Sequence, residues 1–263
     1  METSDLIKRY GNINKILCPS GFFVMIREQD GNDDGILSNV SLNKESSAIN
    51  TFIQDIVVWA ENGQSPDGRL TSDQVLELRL KDKYFILMSS RIFSLGPILK
   101  FQYDWGGDQE QVPYEEDLMN FIWDYSRPFP DPESKDYPFK AIKPYNEPIS
   151  VTHIKRTLST GKVVQFKYMD GYSEQYLIKL PEFKVDVNSR LVARDLQLQI
   201  NEEWVKVENF KVFKSREMME LRNMIEEVDE QFDGVIDLVN PYNQDTVKQF
   251  LIRIPDFFYP REI

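Results

Sequence analysis

Residues 30–35 read DGNDDG, and their types and spacing suit a hard cation. Asp30, Asn32, Asp34 and Gly35 fall on the first, third, fifth and sixth positions of a D-x-[DN]-x-[DN]-G loop. In such a loop alternate side chains offer oxygen ligands and the glycine permits a sharp turn. The pattern then weakens: the ninth position is Ser38, and the twelfth, where a bidentate acid belongs, is Ser41. The preceding FFVMIRE reads as a strand rather than the first helix of a calcium-binding hand. The stretch is therefore expected to be a turn at the end of a strand, with Asn32, Asp33 or Asp34 capping a short helix through GILSN. Asp30, Asn32 and Asp34 remain the candidate ligands of an alternative reading, a calcium-binding interaction module.

Other chemistry has little to work with. The single histidine, His153, lies in the alternating stretch ISVTHIKR, and any Ser-His-Asp or Cys-His arrangement would have to use it. Cys18 precedes a Pro-Ser-Gly turn, has no cationic neighbour in sequence nearer than Lys15, and reads as a small packed residue rather than a nucleophile. Asp104, Asp108, Glu110 and the Glu115–Glu116–Asp117 run could supply an acid–base pair, but among 43 acidic residues such groupings arise by coincidence. Glu115–Asp117 are expected instead in the first turn of a helix, complementing its dipole. Neither G-x-G-x-x-G nor G-x-x-x-x-G-K-[ST] occurs. No catalytic residue and no cofactor is expected.

Composition narrows the classes further. The chain has 263 residues, a net charge of −12 and 41% hydrophobic residues, as a soluble protein with one large or two ordinary cores would. The acidic balance argues against binding nucleic acid over a broad surface. No apolar run approaches the length of a membrane helix, and the start lacks the layout of a secretory signal. One cysteine excludes an internal disulfide framework, and intracellular synthesis is expected. Aromatic residues make up 13% of the chain, serving a larger core, protein–protein contacts, or both.

The elements that must position these residues fall into an α+β pattern of two related halves. Residues 126–148 hold six of the 14 prolines and are expected to be an extended linker. This predicts a first repeat over 1–125, a linker over 126–150 and a second repeat over 151–263. In PSGFFVMIREQDG and STGKVVQFKYMDG one constant offset aligns Gly21 with Gly161, Val24 with Val164, Ile26 with Phe166, and Asp30–Gly31 with Asp170–Gly171. Each segment reads as a strand between a glycine turn and an Asp-Gly turn. Further on, Phe85, Met88, Ile92 and Leu95 predict an amphipathic helix capped by Asp82 and stopped at Gly96–Pro97. Met218, Leu221, Ile225, Val228 and Phe232 predict a second, capped by Ser215 and followed by Gly234. Residues 46–61 and 114–123 are also predicted helical, residues 190–208 a hairpin turning near Asn201–Glu203, and residues 2–10 a short helix.

With these segments in place, the chain resembles the baseplate hub and tail assembly proteins of contractile-tailed, T-even-like phages. The resemblance rests on IREQDGNDDGILSN, FILMSSRIFSLG, the strand ILKFQYDWGG and the closing IPDFFYP. It implies a non-enzymatic structural or assembly subunit, either a permanent virion component or a factor that helps build the hub and then leaves. Implied partners are hub, wedge, tail tube or tape-measure proteins, and the implied location is the virion tail or the host cytoplasm during assembly. Relatives carry a C-P-x-C-G knuckle where this chain has YDWGG (103–107) and NPYNQ (240–244), so the turn is expected to be held by Trp105, Pro241 and Tyr242. Candidate contact residues are Trp105, Tyr242, Phe257, Phe258, Tyr259, and Phe129 and Tyr137 of the proline-rich stretch.

Overall fold

A computed structural model describes residues 3–39, 47–106, 111–181, 186–228, 235–243 and 247–251. The protein is mixed α+β, with eight α-helices and four small antiparallel sheets among these residues. Strands β1 (Ile13–Leu17) and β2 (Phe23–Arg27) form a hairpin. Its turn is closed by Cys18 N donating to the Phe22 carbonyl and Gly21 N to the Cys18 carbonyl, with Gly21 at φ +81°. Strand β3 (Val57–Ala60) pairs with the other side of β2. Alternation along β2 splits its side chains as the sequence predicts. Val24 and Ile26 enter the main core, whereas Met25 meets Val58 and Leu6 of helix α1 (Thr3–Tyr10) on the outer face.

Helix α2 (Gly31–Leu37) follows β2, and α3 (Ser47–Ile56) buries Ala48, Phe52, Ile53 and Ile56. The predicted helix through residue 61 stops at Ile56, because Val57 and Val58 belong to a β-branched run that suits the pleated surface beside β2. Helix α4 (Ser72–Glu77) opens on a Thr71–Gln74 capping box. Helix α5 (Leu80–Leu95) runs through the core with Phe85, Ile86, Leu87 and Met88 buried. It stops at Gly96, φ +82°, ahead of Pro97. Its N-cap is Arg79 rather than Asp82: the Asp82 carboxylate accepts from Ser20 in the β1–β2 turn instead.

The predicted helix over 114–123 is replaced by strand β5 (Val112–Asp117), paired with β4 (Ile98–Tyr103), and a short 3-10 turn at Leu118–Phe121. Pro113 is compatible with an edge strand. Glu115 pairs with Lys100 across the ladder, and Asp117 accepts from Met119 N, so these acids attend a sheet and a turn rather than a helix dipole. Residues 126–148 contain no helix or strand, yet they do not run free between two bodies. Ile142 is 1% exposed within the first core, and its backbone N donates to the Phe121 carbonyl.

A second core gathers Ile154, Val164, Phe166, Leu191, Leu198 and Leu221. Its sheet runs β6 (Ile154–Thr157), β7 (Val163–Phe166), β8 (Gln197–Ile200), β9 (Glu203–Lys206) in spatial order. Helices α7 (Val187–Ala193) and α8 (Ser215–Val228) complete it with Leu191 and Leu221, and α6 (Gly171–Lys179) packs beside α7, Ser173 donating to the Ala193 carbonyl. The predicted 190–208 hairpin is shortened to β8–β9, because residues 190–193 finish α7, whose N-terminus is fixed by an Asp186–Ser189 capping box. The hairpin turns at Asn201 and Glu202, both at positive φ. Strands β10 (Val235–Val239) and β11 (Val247–Leu251) form the last hairpin, and Leu238 enters the first core rather than the second.

Candidate interaction surface

The DGNDDG stretch is a helix start. Asp30, at φ −131° and ψ −179°, caps α2, accepting from Asn32 N at 2.8 Å, while the Asp33 carboxylate accepts from Asp30 N at 2.8 Å. The cap is thus Asp30, two residues before the first of the three residues expected. Asp33 is fully buried in a two-pronged pair with Arg27, at 2.8 and 2.9 Å, and Arg27 also pairs with Asp55. Burial raises the Asp33 carboxyl above its usual range against the pull of Arg27. Asn32 and Asp34 are exposed on the first turn. Ser41 lies outside the described residues, and among those described no three Asp, Glu, His or Cys side chains gather as a metal site requires.

The acid–base candidates are likewise held by neighbours. His153 Nε2 lies 3.2 Å from Asp195, which also pairs with Lys206 and accepts from Gln197. Cys18 is wholly buried, and burial pushes its thiol well up, away from the reactive thiolate. Asp104 accepts from Gly106 N, and Glu116 pairs with Lys140; Asp108 and Glu110 lie outside the described residues.

The aromatic candidates separate into two groups. Trp105 is half-buried: its Nε1 donates to Tyr114 Oη at 2.9 Å, and Tyr114 donates to the Val239 carbonyl at 2.9 Å. This relay ties the β4–β5 and β10–β11 hairpins together. The turn expected to be held by Trp105, Pro241 and Tyr242 is therefore held by Trp105 through Tyr114, while Tyr242 is 53% exposed. Tyr114 was hidden from sequence reading by the mistaken helix. Phe257, Phe258 and Tyr259 lie outside the described residues.

The second group is contiguous. Trp123, Phe129, Tyr137 and Phe139 stack edge to face in order, with centroids 5.5, 5.8 and 5.0 Å apart. Prolines at 128, 130, 132 and 138 restrict the backbone that carries them. Tyr137 is buried, Phe129 half-buried, and Phe139 is 82% exposed at the end of the series. Sequence reasoning found Phe129 and Tyr137 but missed Trp123 and Phe139. The Pro-Phe pair recurring at 128–129 and 138–139 was the signal available.

Between the two cores lies the side chain of Arg79. It donates to the carbonyls of Glu147, Pro148 and Val151 and lies over the rings of Tyr145 and Tyr168. A cavity of about 390 Å³ beside it is lined by Asn62, Gln74, Lys167 and Asp170 among others. Among the described residues no helix is long and apolar enough to cross a membrane. Comparison with protein-family models, with curated proteins and with solved structures finds no match.

Proposed function

We propose that this chain is a non-enzymatic structural or assembly subunit that works through protein–protein contacts, and that it serves the baseplate hub of a contractile phage tail. The observation that carries the contact reading is the aromatic series ending at Phe139. A large apolar ring that is 82% exposed, backed by three packed rings on a proline-restricted backbone, offers contact area at little ordering cost. The baseplate assignment rests on the sequence resemblance, with hub, wedge, tail tube or tape-measure proteins as partners. A duplicated plan belongs to the same proposal. The Leu158–Lys162 turn repeats the Cys18–Phe22 hydrogen bonds, Gly161 matches Gly21 in positive φ, and Asp170 caps α6 at φ −131° and ψ −177°, as Asp30 caps α2.

Mass spectrometry of purified virions tests the structural version: the chain is expected among the tail proteins, and its absence restricts it to assembly. Genes for a tape-measure protein, tail tube or baseplate wedge are expected beside its own, and their absence overturns the baseplate reading. The contact reading is tested with Phe139→Ser. Such a protein is expected to keep its melting temperature while losing incorporation into tails, and undiminished incorporation rejects the aromatic series as the contact.

A further inference from the structure

Lys83 Nζ lies 2.8 Å from Asn50 Oδ1 and 3.2 Å from Glu174 Oε2. The three residues come from three helices: Asn50 from α3, Lys83 from the first turn of α5 and Glu174 from α6. The Lys83 side chain is 3% exposed. Room for its nitrogen exists because residue 171 is glycine: a Cβ there would stand 2.3 Å from Nζ. Burial lowers the Lys83 pKa against the pull of Glu174 and Asp170, and burial raises that of Glu174 against Lys83. Both shifts move the pair towards a free amine beside a protonated carboxyl.

From this geometry we propose that Lys83 and Asn50 form an intramolecular isopeptide bond, with Glu174 as the acid–base group. The inference is independent of the baseplate reading. The Lys83 amine lone pair attacks Asn50 Cγ to form the Nζ–Cγ bond. A proton leaves Nζ for Glu174, which supplies one to the departing Nδ2, the Cγ–Nδ2 bond breaks and ammonia is released. Amine and carboxamide become a secondary amide plus ammonia, Glu174 is regenerated, and no oxidant or cofactor is consumed. Lysine does not attack carboxamides in water because it is protonated and meets them only in passing. Here desolvation favours the free amine, and fixed contact supplies effective molarities that reach about 10⁵–10⁸ M in well-oriented systems. A positioned acid–base group adds roughly 10²–10⁴-fold. Asn50 is only half-buried, which leaves ammonia a way out. Since Glu174 and Gly171 arrive on α6, the bond forms only once that helix has docked against α5.

Intact mass spectrometry of the purified full chain, incubated folded, is the test. The wild type is expected to be lighter than its sequence by one ammonia, and digestion to yield a branched peptide joining Asn50 to Lys83. Lys83→Arg, Asn50→Ala and Glu174→Gln should each restore the full mass. A folded wild-type chain of full sequence mass overturns the proposal, as does an ammonia loss that maps elsewhere or persists in these variants. Because the wild type alone decides the matter, a variant that fails to fold does not blunt the test.

Discussion

Asp82 is a carboxyl group closed off beneath the first hairpin turn, fully buried, with Ser20 donating from its backbone N at 2.9 Å and its hydroxyl at 2.6 Å. Burial raises its pKa to about 6, against those hydrogen bonds and the charges of Arg79 and Lys81. A carboxyl raised in the folded state binds its proton more tightly there than when unfolded. Its contribution to stability is then fully present below about pH 4 and is lost as the pH climbs through about 6. Asp82→Asn has no such proton. The difference in unfolding free energy between wild type and Asp82→Asn should therefore move in favour of the wild type by on the order of 2 kcal/mol between pH 7 and pH 4. Chemical denaturation across that range measures it, and a flat difference refutes the burial argument. Sequence reading made Asp82 a helix cap because an acid near a helix start is a local signal. The Ser20 turn it serves is distant in the chain, and no periodicity reports it.

At the scale of elements, what was legible followed from local rules. Alternation at Val24/Ile26 and Val164/Phe166 located β2 and β7, and spacing from Phe85 to Leu95 located α5. The errors came where tertiary pairing overrode a local preference: Glu115–Asp117 favour a helix start in isolation but are recruited by β4. Helix α7 was missed because Leu191 and Val192 fit either period, while its capping box at Asp186 and Ser189 uses a residue pair outside the usual signature. The two Asp-Gly turns were legible as punctuation, and the structure adds their mechanics. Asp30 and Asp170 each accept from a backbone N–H in the first turn of the helix they open. Replacing either with Ala should cost about 1 kcal/mol of stability, as loss of an N-cap does. A loss of less than about 0.3 kcal/mol at both positions, read from denaturation midpoints, would show that tertiary packing rather than the cap fixes those helix starts.

For the whole molecule, proline content marked residues 126–148 as neither helix nor strand, but it carried no sign of how the two cores are joined. Tyr145 packs against the second core, while its backbone N donates to the Pro19 carbonyl of the first hairpin turn. The Arg79 N-cap of α5 forms a bridge with Asp170, and Leu80 N donates to the Met169 carbonyl. The guanidinium of Arg79, 4% exposed, then holds three carbonyls of residues 147–151 and lies 4.1 Å from the Tyr168 ring centroid. One buried fork thus joins the helix of the first core, the end of the proline-rich stretch and a ring of the second. Arg79→Met keeps the bulk of the stem but leaves those carbonyls without the donor they face. Hydrogen bonds to charged groups contribute roughly 1.5–3 kcal/mol each, so coupling between the cores should fall by several kcal/mol. Trp204, on β9, reports the second sheet, whereas Trp59, on β3, reports the first. In the wild type, denaturant should unfold both in one transition, with fluorescence and far-ultraviolet circular dichroism coinciding. In Arg79→Met the Trp204 signal, isolated by replacing the other tryptophans, should change at lower denaturant than the signal from Trp59. Coincident transitions at the wild-type midpoint would mean that the joint is held by packing alone, and that the buried fork only fills the space between two cores already fixed to each other.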